Sequence, residues 1–363
     1  MTKTSFKLNL GPQHPSTHGV LRLLLELKGE KIISCEPDVG YLHRGMEKMA
    51  EKLSYIQYLP LVDRIDYLAG FSYSELFCRT VEKALNIELS DKVRAIRVML
   101  LELNRISSHL LWLGAFLMDL GATSPFFYAI REREMILRFF EKLTGQRMMY
   151  NYFVFGGVRQ DIDFLDDVEE ILKVLPSKIN DYEKIITENP IFLTRTQGKG
   201  CLSAEIGIQN SITGVNLRAS GVSYDYRTQD PLYSGFDIGV VVLDGKDCWA
   251  RYKARVLEMR ESLKIVYQAI EYLKKGVNLD QHLVTPLKLK LPEGEYYSEI
   301  EAPRGIASCY IESTGEEHPY RLKWRTGSYY SVNLMRKLLV GEYLNDAIAI
   351  AGSFDIVMPE VDK

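Results

Sequence analysis

The first forty residues alternate apolar and polar positions with a period of two. SFKLNL (5–10), VLRLLLEL (20–27) and KIISCEP (31–37) each read as a half-buried strand, and KGEK (28–31) as the turn between the last two. This predicts a small antiparallel sheet. GPQHPSTHG (11–19) falls between the first two strands, and Pro12 and Pro15 disfavour helix there, so it is a connecting loop. From residue 45 the apolar period lengthens to that of a helix. GMEKMAEKLSYIQYL (45–59) and PLVDRIDYLAGFSYSELFCRTVEKAL (60–85) form two helical stretches, the second irregular near Gly70. Ser90 is placed as an N-cap, with Asp91 in the first turn. The run from Asp91 to Ala122 is apolar almost all round, as expected of a helix buried on several sides. Gly121 ends it, and Ser124 and Pro125 restart a helix that runs to Gly145.

Beyond that point the expectations are two shorter helices over 162–188 separated by Pro176, then turns and short strands over 189–246 that include FDIGVVVLDGKD (236–247). A long helix over 247–275, a strand pair within 296–325 and helices near 331–340 and 342–351 follow. The fold class is α+β: a central bundle of long helices, a small N-terminal antiparallel sheet and peripheral C-terminal strands. The chain divides into 1–40 with the histidine loop, 41–290 as a helical core with a β insertion around 189–246, and 291–363 with the strand pair, helices and tail.

Composition narrows the function classes. The chain has 363 residues, of which 46% are hydrophobic and 26% charged, enough for an extensive core. A formal net charge of -3 argues against non-specific nucleic-acid binding. Five cysteines stand far apart, so no CxxC-type zinc or iron–sulfur site is formed locally, and the spacing fits a reducing compartment. MTKTSFKLNL lacks the apolar core of a signal peptide. The most apolar stretch, ISSHLLWLGAFLM (106–118), is too short to span a membrane and contains His109. GxGxxG, Walker A and GxSxG motifs are absent.

Candidate chemistry sits at few positions. His14 and His18 are four apart, a metal-ligand spacing on a helix, but the surrounding prolines make a shared helical face unfavourable. They are either a metal pair or part of a structural turn. Asp119 ends a long apolar helix, where its charge opposes the helix dipole. It lies either in a solvated turn or beside a cation such as a histidine, whose pKa it would raise. Tyr67, in RIDYLAG, is one of 22 tyrosines and acquires a role only if its hydroxyl enters a cavity. RERE (131–134) reads as a charged face with local ion pairing.

Nine blocks carry a resemblance. GPQHPSTHGVLRL, EPDVGYLHRGMEKMAE, YLPLVDRIDYLAG, RVMLLELNRISSHLLWLGAFLMDLGA, SPFFYAIRERE, GQRMMYNYFVFGGV, NPIFLTRTQG, LRASG and ARYKARVLEMRES occur in order over most of the chain. The sequence resembles the 49-kilodalton, or D-type, family of respiratory complex I subunits, and the H-type subunits of the plastid and cyanobacterial enzyme. Through that family it is similar to nickel–iron hydrogenase large subunits, which implies a hydrogenase-large-subunit-like fold. The hydrogenase motifs RxCxxC and DPCxxC read RIDYLA and DIVMPE here, with Asp66, Ala69, Val357 and Glu360 in the cysteine places. Without the four thiolates a soft nickel–iron centre has no ligands.

The resemblance implies a quinone headgroup site in the old metal cavity. His18 falls on the family's quinone-contacting histidine, Tyr67 on its quinone-contacting tyrosine, and Asp119 on the histidine's carboxylate partner. His14 matches the loop's other histidine, and Arg44 an arginine near the neighbouring subunit's iron–sulfur cluster. The implied activity is reduction of quinone to quinol by a proton-pumping NADH:quinone oxidoreductase, with no cofactor bound by this chain. The [4Fe–4S] cluster lies in the adjacent subunit, with FMN and NADH elsewhere in the complex.

The implied partners are the B-type iron–sulfur subunit (PSST type), the 30-kilodalton C-type subunit, the 23-kilodalton ferredoxin-like I-type subunit and the H-type membrane subunit of complex I. The implied location is peripheral, on the cytoplasmic side of a bacterial inner membrane, the mitochondrial matrix side or the thylakoid stromal side. The alternatives are a non-catalytic scaffold, a hydrogenase-like enzyme, or a zinc enzyme using His14 and His18. Two departures stand out. TGSYY replaces the family's Pro-Pro pair after YRLKWR, and the tail has Pro359 and Lys363 where the family commonly has glycine and arginine. The purified chain is expected to carry no stoichiometric nickel or zinc; elemental analysis finding either would overturn the quinone-site reading.

Overall fold

The computed structural model describes residues 5–12, 19–276 and 288–363. β1 (Phe6–Leu10), β2 (Arg22–Lys28) and β3 (Lys31–Asp38) form the expected antiparallel sheet in the order β1-β2-β3. Leu23, Leu25 and Leu27 of β2 point inward, and a register shift between Glu26 and Leu27 brings Ile32 opposite Leu27. α1 (Met46–Ala50) and α2 (Tyr55–Val62) follow, α2 opened by a capping box between Ser54 and Gln57. α3 (Gly70–Leu85), α4 (Asp91–Asp119) and α5 (Thr123–Thr144) continue the bundle. Ser90 caps α4 by accepting from the backbone N–H of Val93 at 3.4 Å. α4 is buried along nearly its whole length because it packs on α5 and also on α10 (Cys248–Leu273), as its unbroken apolar pattern requires.

Several expectations give way. The stretch 60–85 is not one helix: Asp63–Ala69 is a turn between α2 and α3. Asp66 Oδ1 accepts there from the backbone N–H groups of Leu68 and Ala69 at 3.0 and 3.2 Å, which holds the chain away from helix. A short hairpin, β4 (Phe153–Val154) with β5 (Gly157–Val158), precedes α6 (Leu165–Tyr182). α6 runs straight through Pro176 and into a π-helix, Glu183–Thr187. The buried positions Val168, Ile171, Leu175 and Ile179 lie on one face either side of the proline, and that packing outweighs one lost backbone bond.

The strands expected over 189–246 are replaced by short helices: α7 (Pro190–Thr196), α8 (Ala204–Gln209), α9 (Gly214–Arg218) and two 3-10 turns. Residues 236–247 are extended but join no sheet among the described residues. Their N–H groups donate instead to Gln268 and Glu261 side chains of α10 and to the carbonyls of Arg218 and Ala219. With those donors satisfied, a strand partner is not required.

The C-terminal region holds three strands rather than a pair: β6 (Gly294–Ala302), β7 (Gly305–Ser313) and β8 (Arg321–Arg325), antiparallel in that order. α11 (Gly327–Leu338), α12 (Leu344–Ser353) and α13 (Met358–Val361) complete the chain. The first apolar core joins α1–α6, α10 and the β6–β8 sheet. The second joins the N-terminal sheet to α11, α12 and the tail, through Leu23, Leu25, Met335, Ile350, Phe354 and Met358. Asp362 accepts from the N–H groups of Gly40 and Leu42 at 2.8 and 2.9 Å, so the two ends of the described chain are tied together. Among the described residues no helix is long and apolar enough to cross a membrane.

Two close backbone approaches fix the β6–β7 hairpin. Gly214 and Gly305 stand close, so that a Cβ on Gly214 would overlap the Gly305 main chain and one on Gly305 would overlap the Thr213 hydroxyl. Gly327, in the TGSYY segment, lies against the carbonyl of Arg304. Gly327→Ala is therefore expected to destabilise the isolated chain by about 2 kcal/mol, the usual order for overpacking, and urea unfolding measures it.

Candidate functional site

Tyr67 stands in the α2–α3 turn rather than on a helix, with 36% of its surface exposed. Asp119 is the last residue of α4 and is half-buried. His14 and His18 lie outside the described residues. Before and after them, the backbones of Gly11 and Leu21 approach closely where β1 and β2 pair. Arg44, exposed just ahead of α1, donates to the carbonyl of Arg64 at 2.9 Å and of Pro359 at 3.4 Å. Partial burial of its head group, with Arg64 nearby, lowers its pKa. Arg44 therefore links the chain ahead of the Tyr67 turn to the tail.

Asp66, Ala69, Val357 and Glu360 are all buried, two of them as carboxylates. Asp66 is fully buried, and its Oδ2 accepts from Arg304 Nη1 at 2.6 Å. Arg304 sits in the two-residue turn between β6 and β7, and its Nη2 donates to Ser108 Oγ at 3.0 Å and Asp355 Oδ1 at 3.4 Å. Glu360, also buried, accepts from the Tyr73 hydroxyl at 2.5 Å and from the N–H of Ser328 at 3.1 Å. A guanidinium thus lies among buried carboxylates. A fixed cation repels a metal ion, so the donor set does not fit one. The described residues contain no group of three or more histidine, cysteine or acidic side chains that could hold a metal.

Electrostatics follow from this packing. Burial pushes the Asp66 carboxyl up to about 7; Arg304 opposes the shift, and Glu360 and Asp355 add to it. Partial burial raises the Tyr67 phenol, opposed by Arg304 and Arg133 and reinforced by Asp66 and Asp355. Burial is also the main cause of the Tyr73 phenol's rise, with the charge of Glu360 next. Tyr67 therefore remains a proton donor at neutral pH, in an environment that its neighbours' charges control.

A second buried cluster escaped the sequence reading. Glu258 of α10 accepts from Arg218 at 2.8 Å and from Arg227 at 3.2 Å, and its other oxygen meets His109 Nε2 at 3.1 Å. Glu102 joins Arg227, Tyr233 and Ser262, and Glu301 accepts from Arg218 at 2.7 Å. Arg227 and Arg218 hold the Asp225 carboxyl at about 2 against the effect of burial. Burial lowers the pKa of His109, which argues for a neutral ring despite Glu258. The sequence signal for this cluster was present in α4, where Glu102, Arg105 and His109 interrupt an otherwise apolar run. Nothing in that run identifies their partners, 125 to 196 residues away.

The TGSYY departure meets the altered tail. Thr326 donates to the carbonyl of Glu360, Ser328 Oγ accepts from the N–H of Val357, and Lys363 lies over the Tyr329 ring, 5.1 Å from its centroid. The two differences from the family pattern are thus in mutual contact.

Comparison with known proteins decides the family. A family model described as "Respiratory-chain NADH dehydrogenase, 49 Kd subunit" matches residues 119–290 and 279–363. The chain belongs to that family. It is 46% identical over 360 residues to the D-type subunit of NADH-quinone oxidoreductase from Geobacillus kaustophilus, covering 98% of this chain and 97% of that one. It is also 46% identical over 359 residues to the corresponding subunit of Geobacillus thermodenitrificans, and 44% over 360 to that of Bacillus cereus, with 98% of each chain covered. Within the 49-kilodalton family frame, Asp66 and Glu360 were found by motif comparison, whereas Arg304, Ser108 and Asp355 were not.

Asp63 offers a test of how the Tyr67 turn is seated. It is buried, accepts from the Ser74 hydroxyl and from the N–H of Asn151 at 2.8 Å, and burial pushes its pKa up to about 6. In the unfolded chain an aspartate titrates near 3.9. The unfolded state therefore loses this proton first, and stability falls as pH rises from about 4 to about 6. Asp63→Asn is expected to flatten that part of the pH–stability curve, read by urea unfolding at each pH. The comparable fall due to Asp66, extending to about 7, should remain.

Proposed function

We propose that this chain forms one wall of the quinone headgroup site in a proton-pumping NADH:quinone oxidoreductase. The observation that carries the proposal is the part-exposed Tyr67, next in sequence to the buried Asp66, which with Asp355 clamps Arg304. A quinone presents two carbonyl acceptors. Tyr67 serves one of them and His18 the other, with Asp119 as the partner that keeps His18 protonated. His14 shapes the same loop. Two electrons arrive from the [4Fe–4S] cluster of the adjacent subunit, near which Arg44 lies, and each carbonyl oxygen takes one proton to give quinol. Release of Asp119 from His18 after that proton leaves is part of the proposal.

The fold on this reading is hydrogenase-large-subunit-like, with the metal cavity converted to a substrate site. The three-part division into 1–40, 41–290 and 291–363 belongs to the same reading, without a β insertion in the middle part. The chain binds no cofactor itself. It docks against the PSST-type iron–sulfur subunit, the 30-kilodalton subunit, the 23-kilodalton ferredoxin-like subunit and the H-type membrane subunit, with FMN and NADH elsewhere in the complex. It lies peripherally, on the cytoplasmic side of a bacterial inner membrane.

Tyr67→Phe keeps the ring and removes the proton. In the assembled complex it is expected to lower quinone reduction by about a hundredfold, the order of a lost general acid, while electron flow to an upstream artificial acceptor stays normal. Unchanged quinone reduction would favour a non-catalytic scaffold.

A further inference from the structure

The two three-stranded sheets have four outer edges, and three of them are closed. On β6 the carbonyls of Tyr297, Glu299 and Glu301 accept from Lys83, Arg79 and Arg105 at 3.0, 2.8 and 2.5 Å. On β8 the N–H of Trp324 donates to Glu47 Oε1 at 3.0 Å. On β3 the N–H of Ile32 donates to the carbonyl of Glu342 at 2.9 Å, and its carbonyl accepts from the N–H of Gly341 at 2.8 Å. β1 is different. It pairs with β2 on one side, and among the described residues nothing bonds to its main chain on the other. Alternate residues of an antiparallel strand direct both N–H and C=O to the same side, so β1 presents a row of unused groups. Such an edge is a template for one more strand.

The side chains agree. On one face of this sheet three rows cross the strands: Ile32–Leu27–Phe6, Cys35–Leu25–Leu8 and Pro37–Leu23–Leu10. The β3 and β2 members are buried, Leu8 and Leu10 are half-buried, and Phe6 is 52% exposed. The apolar face thus runs out at β1 without reaching a polar boundary. On the other face Ser34, Glu26 and Lys7 form a row. Glu26 accepts from the Ser5 hydroxyl at 2.6 Å, and the exposed Lys7 makes no ion pair among the described residues. A second copy of β1 would not match it, because FKLNL holds no acidic residue.

We propose that β1 is a docking edge whose occupant is an extended segment of another subunit of the oxidoreductase. The segment adds as a fourth strand, with apolar residues beside Phe6, Leu8 and Leu10 and an acidic residue beside Lys7. The chain's family is named as one subunit of a larger enzyme, so other chains are its neighbours, and the inference does not rest on the quinone site. A strand is required rather than a helix, because only extended backbone matches the spacing of the free donors and acceptors. Main-chain bonds supply the attraction, and the alternating side chains set the register.

The test is made in the assembled complex. A photoreactive benzoylphenylalanine is placed at Phe6, and irradiation is followed by digestion and mass spectrometry of the joined peptides. The expected product joins β1 to one segment of another subunit, alternately apolar and carrying an acidic residue. Deuterium exchange of the β1 amides should be about a hundredfold slower in the complex than in the full chain alone, as for a strand that gains a partner. Lys7→Glu is expected to cut the crosslinking yield about fivefold, the order of one exposed ion pair, and Lys7→Arg to leave it unchanged. A crosslink to lipid, to a second copy of this chain or to another part of the same chain would overturn the proposal, as would no crosslink. So would exchange at β1 that slows no more than at β6, whose edge is already closed. An equal yield in Lys7→Glu would overturn the acidic match.

Discussion

The Arg304 guanidinium is the point on which the site depends. It reaches Asp66 in the α2–α3 turn, Ser108 on α4 and Asp355 ahead of the tail, from a tight turn between two strands. Four segments distant in sequence therefore meet at one buried charge. Burying that charge costs several kcal/mol unless it is well paired, so losing any one partner leaves an uncompensated ion. The exposure of Tyr67 follows from this clamp. Asp66 cannot turn outward without abandoning Arg304, and its neighbour Tyr67 is held part-exposed.

The long elements were legible because one-sided or all-round burial leaves a period in the sequence. β2, α4, α5 and α10 lie close to where their patterns place them, and Ser90 caps α4 as its residue type suggests. Failures came where a side chain competes with a regular backbone pattern. Asp66 turns the chain between α2 and α3, and Gln268 and Glu261 occupy donors that would otherwise have paired with a strand. Pro176 misled in the opposite direction, because packing on both sides of it carries the helix through.

The site itself was less legible than the fold. Asp66 and Arg304 are 238 residues apart, and periodicity says nothing about which buried charges will meet. RERE shows the limit at short range. Successive helical residues are rotated by about 100°, so four consecutive charges cannot share one environment. Reading them as a charged face with local ion pairing holds for Arg131, Glu132 and Glu134 but not for Arg133, whose Nε is buried without a partner.

Gly214 and Gly305 carry a further consequence. α9 bears Arg218 of the inner ion cluster, and the β6–β7 hairpin bears both Glu301 of that cluster and the clamped Arg304. Where these segments touch, a Cβ on Gly214 would meet the Gly305 main chain, and one on Gly305 would meet Thr213, its hydroxyl first. The spacing between the inner cluster and the Arg304 clamp thus depends on a close backbone contact. Replacing a side chain alters how much charge each cluster carries, whereas a Cβ added at Gly214 would force the two backbones apart.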